Sequence, residues 1–210
     1  MVAAAIAAAL VGRGERVRAF KPVLTGADEP RDPVWPPDDE LLAAATGQGA
    51  GTVAPYRFGP PVSPHLAAEL AGEAIEPATL LASARRAAAE SDALVVEGVG
   101  GLLVPLTPTY VVRDLAGELA LPVVIAARAG LGTINHTLLT LEAARAAGLR
   151  VAGVVLTPWS SPGALEKSNR ATIAALGAVD VVPLSEATPA GLAAAGASLP
   201  LDAWLGSPMA

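Results

Sequence analysis

The sequence predicts an α/β fold in which a mostly parallel sheet lies between two layers of helices. Three continuous apolar runs of strand length, DALVVEG, LPVVIAARAG and RVAGVVLT, are typical of strands that are buried on both faces. Helical segments separate these runs, and this alternation indicates parallel strands joined by helical crossovers. A length of 210 residues is enough for a large core, so we expect one domain over residues 1–210.

The individual elements follow in chain order. The apolar segment from Val2 predicts a buried helix that ends at Gly12 or Gly14, and Arg16 to Lys21 alternates as a strand does. A loop rich in Pro, Gly and Asp extends from Pro22 to Pro37. Later helices are predicted after a capping Asp38 or Asp39, from Ser63-Pro64, and over Pro77–Glu90, Tyr110–Ala120, Asn135–Ala147 and Ala164–Leu176, and VDVVPL is the last strand.

The composition excludes several kinds of site. The chain has no cysteine, which rules out a disulfide framework, a thiolate metal site and a cysteine nucleophile, and its two histidines are too few for a His-rich metal centre. A metal ion would therefore be a hard cation held by carboxylates and ligand oxygens. The net charge of −6 argues against nucleic acid as a partner. No positive charge precedes the first apolar run and no segment has the length of a membrane span, so we expect a cytoplasmic protein without a membrane partner.

Candidate functional residues follow the strands directly. In open parallel sheets, ligands bind beyond the carboxyl ends of the strands. The segments at those positions are residues 21–26, 97–101, 128–135, 157–162 and 183–186. We therefore expect these five segments to build the site.

Glu97 and Lys21 are the most informative of these residues. Glu97 directly follows LVV and precedes glycines. A carboxylate there is partly desolvated, a bound Mg²⁺ would neutralise it, and the glycines let backbone N–H groups approach an anion. Lys21 is one of only two lysines and can place a point charge on phosphate or carboxylate oxygens. The alternatives are a tight turn with a solvated acid and a surface lysine.

Weaker candidates have an ordinary structural alternative. The Asp-Asp pair before ELLAAATG is typical of helix capping, although an acid at a helix start can also reach a metal ion. GLGTINHT, residues 130–137, enters a helix whose N-terminal N–H groups suit a carboxylate. Trp159 could flank a nucleobase or only pack within its loop. His65 and His136 have no nucleophile paired with them, so neither receives a role.

Taken together, these segments resemble the dethiobiotin synthetase family of the biotin pathway. The matching stretches span nearly the whole chain in the family's order: KPVLTG, the Asp-Asp pair before a helix, PVSPH, VVEGVGGLLVPL, ARAGLGTINHTLLTLEAARAAGL, and GVVLTPW with a later SNR. EGVGGLLVPL and GLGTINHT are quite specific, since a shared nucleotide-binding fold alone would not supply both. The resemblance implies a P-loop NTPase-like fold and an ATP-dependent, Mg²⁺-dependent cyclo-ligase.

The resemblance also implies a reaction, in which a ureido ring is closed on 7,8-diaminononanoate with CO₂ and ATP. One amine of the substrate becomes a carbamate, ATP phosphorylates it, and the second amine displaces phosphate. The implied catalytic residue is Lys21, whose charge would meet the carbamate and the γ-phosphate. A homodimer is implied because the site in this family is shared between two subunits.

The same motifs imply the binding residues. Thr25 would hydrogen-bond the carbamate or the diamine, and Asp39 and Glu97 would hold Mg²⁺. The residues that would border the nucleotide are Asp39, Glu97, Gly98, Val99, Gly100, Thr157, Pro158, Pro183, Leu184 and Ser185. Among them, Thr157, Pro158 and residues 183–185 would border its adenine. The substrate carboxylate would be bound, across the subunit interface, by Gly132, Thr133 and Asn135.

The chain departs from the family pattern at its start. Members begin with a strand and a phosphate loop of the form G-x-x-x-x-G-K-[ST], from which the first helix continues, and here MVAAAIAAAL resembles that helix. No Gly-Lys pair occurs anywhere in the sequence. A start site placed too late, by about 15 residues, or a genuine truncation would each account for this. As written, the chain is expected to bind ATP poorly and to expose apolar surface where the central strand belongs.

Two other functions stay open on the sequence alone. An amidoligase of the cobyrinic-acid type shares the nucleotide fold, but such enzymes usually append a glutaminase domain with a nucleophilic cysteine, and this chain has no cysteine. A non-catalytic homologue that binds diamine or a partner protein is favoured by the missing loop. The presence of Lys21 and Glu97 argues against it.

Overall fold

The computed structural model describes residues 1–206, and every helix and strand predicted from the sequence is present there. The helices are α1 (Val2–Gly12), α2 (Asp38–Thr46), α3 (Pro64–Ala71), α4 (Pro77–Ala89), α5 (Val112–Leu119), α6 (Thr133–Ala146), α7 (Ala164–Gly177), α8 (Leu192–Gly196) and α9 (Leu201–Leu205). The strands are β1 (Val17–Phe20), β2 (Val23–Leu24), β3 (Tyr56–Arg57), β4 (Ala93–Val96), β5 (Pro105–Thr107), β6 (Tyr110–Val111), β7 (Val123–Ala127), β8 (Val151–Leu156) and β9 (Val181–Pro183). Single 3₁₀ turns lie at Ala50–Thr52 and Pro189–Gly191. None of the helices in this part of the chain is long and apolar enough to cross a membrane.

The principal strands pair in parallel, as predicted. β1 pairs with β4, with Val17 opposite Ala93 and Phe20 opposite Val96. β8 lies between β7 and β9 and is parallel to both. Helix α6 connects β7 to β8, and α7 connects β8 to β9. This arrangement confirms the α/β fold class.

These strands form two sheets rather than the single sheet expected. Within residues 1–206, no backbone hydrogen bond joins β4 to β7. All four residues of β4 are partly exposed and Ala126 of β7 is exposed, so the prediction that these two strands are buried on both faces is wrong. The physical reason is that β4 has a paired neighbour on one edge only, which is β1. Ala93 and Val95 of β4 and Val124 of β7 still pack against the core cluster that contains α1, so both open-edged strands border the same core.

Two short strand pairs are absent from the sequence prediction. β2 pairs in parallel with β3 inside a segment expected to be a loop, and β5 and β6 form an antiparallel hairpin. Tyr110, expected to begin a helix, lies in β6 instead. Strands of two or three residues are too short to show a period in the sequence. The predicted cap of α2 also differs: Pro37 precedes the helix, and neither Asp38 nor Asp39 caps it, because both lie inside it.

Helix α1 lies in the core and is built mostly from small side chains. Ala4, Ala5, Ala7 and Leu10 are fully buried. At Gly196 of α8, a Cβ atom would collide with the carbonyl oxygen of Ala5. The backbones of α1 and α8 therefore approach so closely that only glycine fits at this position.

The pairing of β1 with β4 determines where the candidate site lies. Phe20 opposite Val96 is the last pair of the register, and the Glu97 N–H then donates to the Phe20 carbonyl oxygen at 2.9 Å. Lys21 and Glu97 therefore leave the sheet at the same edge, as expected for the carboxyl ends of two parallel strands.

Candidate active site

Three charged side chains meet beyond β1 and β4. The Nζ atom of Lys21 lies 2.8 Å from Oε1 of Glu97 and 2.8 Å from Oδ2 of Asp38, the first residue of α2. The Lys21 side chain is only 6% exposed, whereas those of Glu97 and Asp38 are 20% and 48% exposed. Lys21 and Glu97 therefore lie close enough to share one ligand.

The two carboxylates keep Lys21 in its charged form. Burial alone lowers the pKa of a lysine, but the neighbouring Glu97 and Asp38 carboxylates outweigh it, so the pKa of Lys21 is raised. Burial also opposes ionisation of Asp38, yet the Lys21 ammonium outweighs this effect and lowers the pKa of Asp38 below its ordinary value. The charged Lys21 ammonium is therefore held between the Asp38 and Glu97 side chains.

Asp39 lies outside this cluster. Its side chain is fully buried and forms an ion pair with Arg57 of β3. Successive residues of a helix point about 100° apart, so Asp38 and Asp39 face different neighbours. The structure therefore brings Asp38, rather than the predicted Asp39, against Lys21 and Glu97. Within residues 1–206 no group of three or more potential metal ligands occurs, so a metal ion here would need further ligands from a bound molecule or water.

Thr25 lies in the turn that follows β2 and is partly exposed. Its neighbour Gly26 donates its N–H to the carbonyl oxygen of Pro60 at 3.1 Å. This bond fixes the turn beside the PVSPH segment, in which Ser63 Oγ and His65 Nδ1 lie 3.1 Å apart. Thr25 therefore remains accessible to a ligand from a turn that is tied to a second loop.

The turn after β4 is fixed by packing at Val99 and by backbone conformation at Gly100. Val99 is buried, and Gly100 has a φ of +65°, which favours glycine. The Nζ atom of Lys21 lies 3.5 Å from the carbonyl oxygen of Gly98. Gly98 therefore borders the charged cluster, and Val99 and Gly100 continue the same turn.

The segments after β8 and β9 lie side by side. The Trp159 N–H donates to the Leu184 carbonyl oxygen at 3.0 Å, which brings Thr157 and Pro158 next to residues 183–185. The Trp159 ring packs against the core of the β7–β9 sheet. No hydrogen bond or ion pair within residues 1–206 links this paired edge to Lys21, so the predicted adenine site and the charged cluster are separate groups.

A cavity at the start of α6 receives two of the three residues predicted to bind the substrate carboxylate. Gly132 and Asn135 line it, and its volume is about 500 Å³. Gly132 precedes the helix with a φ of +88°. Thr133 instead turns inward, where its buried hydroxyl lies 3.4 Å from that of Thr137. The Thr133 side chain is therefore not part of the cavity wall.

Asn169 of α7 lines the same cavity, and sequence reasoning assigned it no role. Its side chain is buried, and Nδ2 donates to the carbonyl oxygens of Ala129 at 2.9 Å and Gly130 at 3.0 Å. The available signal was its position, because Asn169 lies one helical turn before Ile173 on the buried face of α7. A polar residue on such a face needs partners, and here they belong to the turn after β7.

Similarity to known proteins agrees with this fold and these strand-end segments. Residues 1–185 match a protein family described as AAA domain. Together with the parallel strands and the charged groups at their carboxyl ends, this match defines a nucleotide-binding α/β protein of the P-loop NTPase-like class. The predicted fold class is thereby confirmed.

More specific relatives are proteins named ATP-dependent dethiobiotin synthetase BioD. The chain is 45% identical to that of Anaeromyxobacter dehalogenans strain 2CP-1 over 157 residues, which are 74% of this chain and 69% of the relative. It is also 37% identical to the protein of Anoxybacillus flavithermus, where the match covers 80% of this chain and 77% of the relative. The identity to the protein of Aquifex aeolicus is 37% as well, with 78% of this chain and 72% of the relative covered. The chain belongs to the dethiobiotin synthetase family. The resemblance and the enzyme class inferred from its motifs, an ATP-dependent ligase, are both confirmed.

The ion pair between Asp38 and Lys21 predicts a specific pH dependence of stability. At neutral pH, Asp38→Asn should lower the free energy of unfolding by about 1–2 kcal/mol, because a charged hydrogen bond is lost. The pKa of Asp38 is lower in the folded protein, so this contribution is complete above the ordinary carboxyl pKa and is lost as pH falls through the folded value. Urea unfolding of both proteins between pH 3 and pH 7 should show the difference shrinking below about pH 4.

Glu73→Gln is the matched control for that comparison. Glu73 is an exposed carboxylate that follows α3 and forms no ion pair within the described part of the chain. A difference between wild type and Asp38→Asn that grows on acidification would contradict the proposed electrostatic origin.

Proposed function

We propose that this protein is a dethiobiotin synthase that forms dethiobiotin from 7,8-diaminononanoate and CO₂ with cleavage of ATP. Its membership of the family supports the reaction. The structural observation that carries the proposal is the buried ammonium of Lys21 between Asp38 and Glu97, at the carboxyl ends of two parallel strands. We assign Lys21 as the catalytic residue.

The reaction develops negative charge that Lys21 is suited to meet. CO₂ adds to one amine to give a carbamate, and a carbamate oxygen takes the γ-phosphoryl group while ADP leaves. The second amine then attacks the carbonyl carbon, a C–N bond forms, and phosphate leaves with the ring closed. Charge develops on oxygen atoms in both transfers, so an ammonium fixed beside them stabilises the transition states. Its burial weakens screening by water and strengthens that effect.

Mg²⁺ suits the two carboxylates of this cluster. Glu97 and Asp38 already converge on one cation, since each has an oxygen 2.8 Å from Lys21 Nζ. Proteins bind the Mg²⁺ of a nucleotide through one or two carboxylates, and phosphate oxygens and waters complete its shell. Bound there, the ion would neutralise charge on the phosphates. We assign it to Glu97 and to one aspartate of the α2 start: the motif favours Asp39, and the geometry favours Asp38.

The other segments are assigned to the nucleotide and the diamine. The turn of Gly98 to Gly100, which begins at the charged cluster, is assigned to the phosphates. The paired edge of residues 157–158 and 183–185 is assigned to adenine, and the accessible Thr25 to the carbamate or diamine. The cavity at the start of α6 is assigned to the substrate carboxylate through Gly132 and Asn135, and Thr133 contributes through the backbone of the helix start because its side chain is buried.

The phosphate loop of this family has no counterpart in the sequence of residues 1–210. The open edges of β4 and β7, which border the same core as α1, support a further strand between them that leads through such a loop into α1. A strand there would join the two sheets and satisfy the backbone groups of both edges.

A homodimer is supported by the apolar surface around the α6 cavity. Leu131 is 92% exposed and Leu139 is 55% exposed, and both line the cavity together with Asn135. Apolar side chains exposed beside a binding cavity are typical of a protein interface. A second copy bound on this face would place the α6 cavity of each subunit beside the other subunit, as a site shared between two subunits requires.

The remaining partners follow from the reaction. ATP is a cytoplasmic co-substrate, so we place the protein in the cytoplasm with small molecules as its ligands and without nucleic acid or membrane partners. The second candidate function is a non-catalytic homologue, and the absence of a G-x-x-x-x-G-K-[ST] motif from the sequence is the observation that favours it.

Product formation tests the proposed function, with Lys21→Met as the site variant. Residues 1–210, and a form extended upstream through an in-frame G-K-[ST] loop, are supplied with 7,8-diaminononanoate, bicarbonate, Mg²⁺ and ATP. We expect the extended form to release phosphate and dethiobiotin. In it, Lys21→Met should lower kcat by about 100-fold or more, since the charge that stabilises the transition state is lost. Calorimetry should show diamine affinity unchanged within about threefold, because the substrate carboxylate is assigned to the α6 cavity and Lys21 is assigned to oxygen atoms that form only after CO₂ has added.

Lys167→Met is the matched control, because Lys167 is the other lysine of the chain and is exposed on α7. An unchanged kcat in Lys21→Met would remove Lys21 from its role. An extended form that binds diamine without forming product would favour the non-catalytic homologue.

Binding of Mn²⁺ distinguishes the two aspartates at the start of α2. Electron paramagnetic resonance with a non-hydrolysable ATP analogue should show that Glu97→Gln weakens Mn²⁺ affinity by about 10-fold or more. A similar loss of affinity in Asp38→Asn, with the affinity of Asp39→Asn unchanged, supports Asp38 as the ligand. A loss in Asp39→Asn, with the affinity of Asp38→Asn unchanged, supports Asp39 and means that the Asp39–Arg57 ion pair opens for the metal. Retained affinity in all three variants would contradict the carboxylate site.

Charge placed on the α6 face should disrupt the dimer. Sedimentation equilibrium should show twice the chain mass for the wild type and a dimer dissociation constant raised by about 100-fold or more in Leu131→Asp, because a buried unpaired charge is costly. Leu70→Asp is the control, since Leu70 is 63% exposed on α3. A dimer that tolerates Leu131→Asp would place the interface elsewhere.

A further inference from the structure

We propose that Asn169 is a positioning residue that holds the turn after β7 in the shape that binds the substrate. The proposal rests on the function proposed above, in which the cavity at the start of α6 receives the diaminononanoate carboxylate. It assigns a role to a residue of α7 that lies far in sequence from the segment it holds.

The contacts of Asn169 are specific to a primary amide. Nδ2 donates one hydrogen bond to Ala129 O at 2.9 Å and another to Gly130 O at 3.0 Å. An amide nitrogen carries two N–H donors, and both are used here on consecutive carbonyl groups. A carboxylate of the same shape would present only acceptors, and an aliphatic side chain would present nothing.

Burial makes these two bonds matter. Asn169 is 5% exposed and Ala129 is 6% exposed, so water is poorly placed to replace a lost donor. Gly130 O also accepts a long hydrogen bond of 3.4 Å from the Thr133 N–H, at the first residue of α6. Asn169 therefore acts on the same carbonyl group that connects the turn to the helix start.

The held turn leads directly into the cavity. Gly132 lies two residues beyond Gly130 and reverses the chain with a φ of +88° before α6 begins. Gly132, Asn135 and Asn169 line one cavity of about 500 Å³. With its two donors committed to carbonyl groups, Asn169 shapes this wall rather than supplying an N–H to the ligand. A displaced turn would therefore weaken substrate binding without altering the charged cluster at Lys21.

The experiment introduces Asn169→Leu and Asn169→Asp into the form that makes dethiobiotin, either residues 1–210 or the extended form. Each variant is compared with the unsubstituted protein of the same form. We expect the KM for 7,8-diaminononanoate to rise by about 10-fold or more, as the loss of one buried and one partly buried hydrogen bond would cause. The KM for ATP and kcat at saturation should change by less than about threefold. Asn169→Ser, which keeps one donor, should give an intermediate KM and serves if the other variants fail to fold. Ser168→Ala, at an exposed position of α7, is the control.

Hydrogen exchange separates this inference from the proposed function. In Asn169→Leu, the backbone amides of residues 129–133 should exchange at least about 10-fold faster, while those of β8 remain unchanged. Faster exchange confined to the turn supports the positioning role even if the wild type forms no dethiobiotin. Unchanged exchange, or equal increases in both KM values, would overturn it. Slower chemistry with an unchanged diamine KM would overturn it as well.

Discussion

The Lys21 ammonium, buried between two carboxylates, connects the elements that meet at the candidate site. Lys21 follows β1, Asp38 begins α2 and Glu97 follows β4, so one cluster joins three separate segments of the chain. Each charge would be costly to bury alone, and removal of one partner leaves the others uncompensated. The groups that fix α2 against the sheet are therefore the same groups proposed to handle phosphate and carbamate oxygens.

Much of this arrangement could be predicted because its signals are local. Apolar runs such as ALVV and VAGVVL are long enough to indicate strands, and the carboxyl-end rule then singles out Lys21 and Glu97. The choice between Asp38 and Asp39 is different, because adjacent aspartates look equivalent in sequence. Their separation depends on the axis of α2 and on Arg57, which lies in a two-residue strand that no periodicity indicates.

The remaining features that the sequence did not indicate depend on contacts between segments that are distant in the chain. Asn169 is separated from its carbonyl partners by about 40 residues, and only the packing of α7 against the turn after β7 reveals the pairing. Thr133 belongs to a motif expected to bind substrate, yet the start of α6 turns its hydroxyl towards Thr137. The exposure of β4 likewise depends on which of its edges pairs with another strand, and an apolar run in the sequence does not show this.

The contact between Gly196 and the Ala5 carbonyl joins two segments from nearly opposite ends of the chain. During synthesis the apolar helix α1 leaves the ribosome long before α8, whereas α2, which packs in the same core, follows it soon. Contacts over a long span of chain form slowly, so the face of α1 that α8 covers stays open until the last part of the sequence has been made. That apolar face is therefore exposed to aggregation for most of the synthesis of these residues.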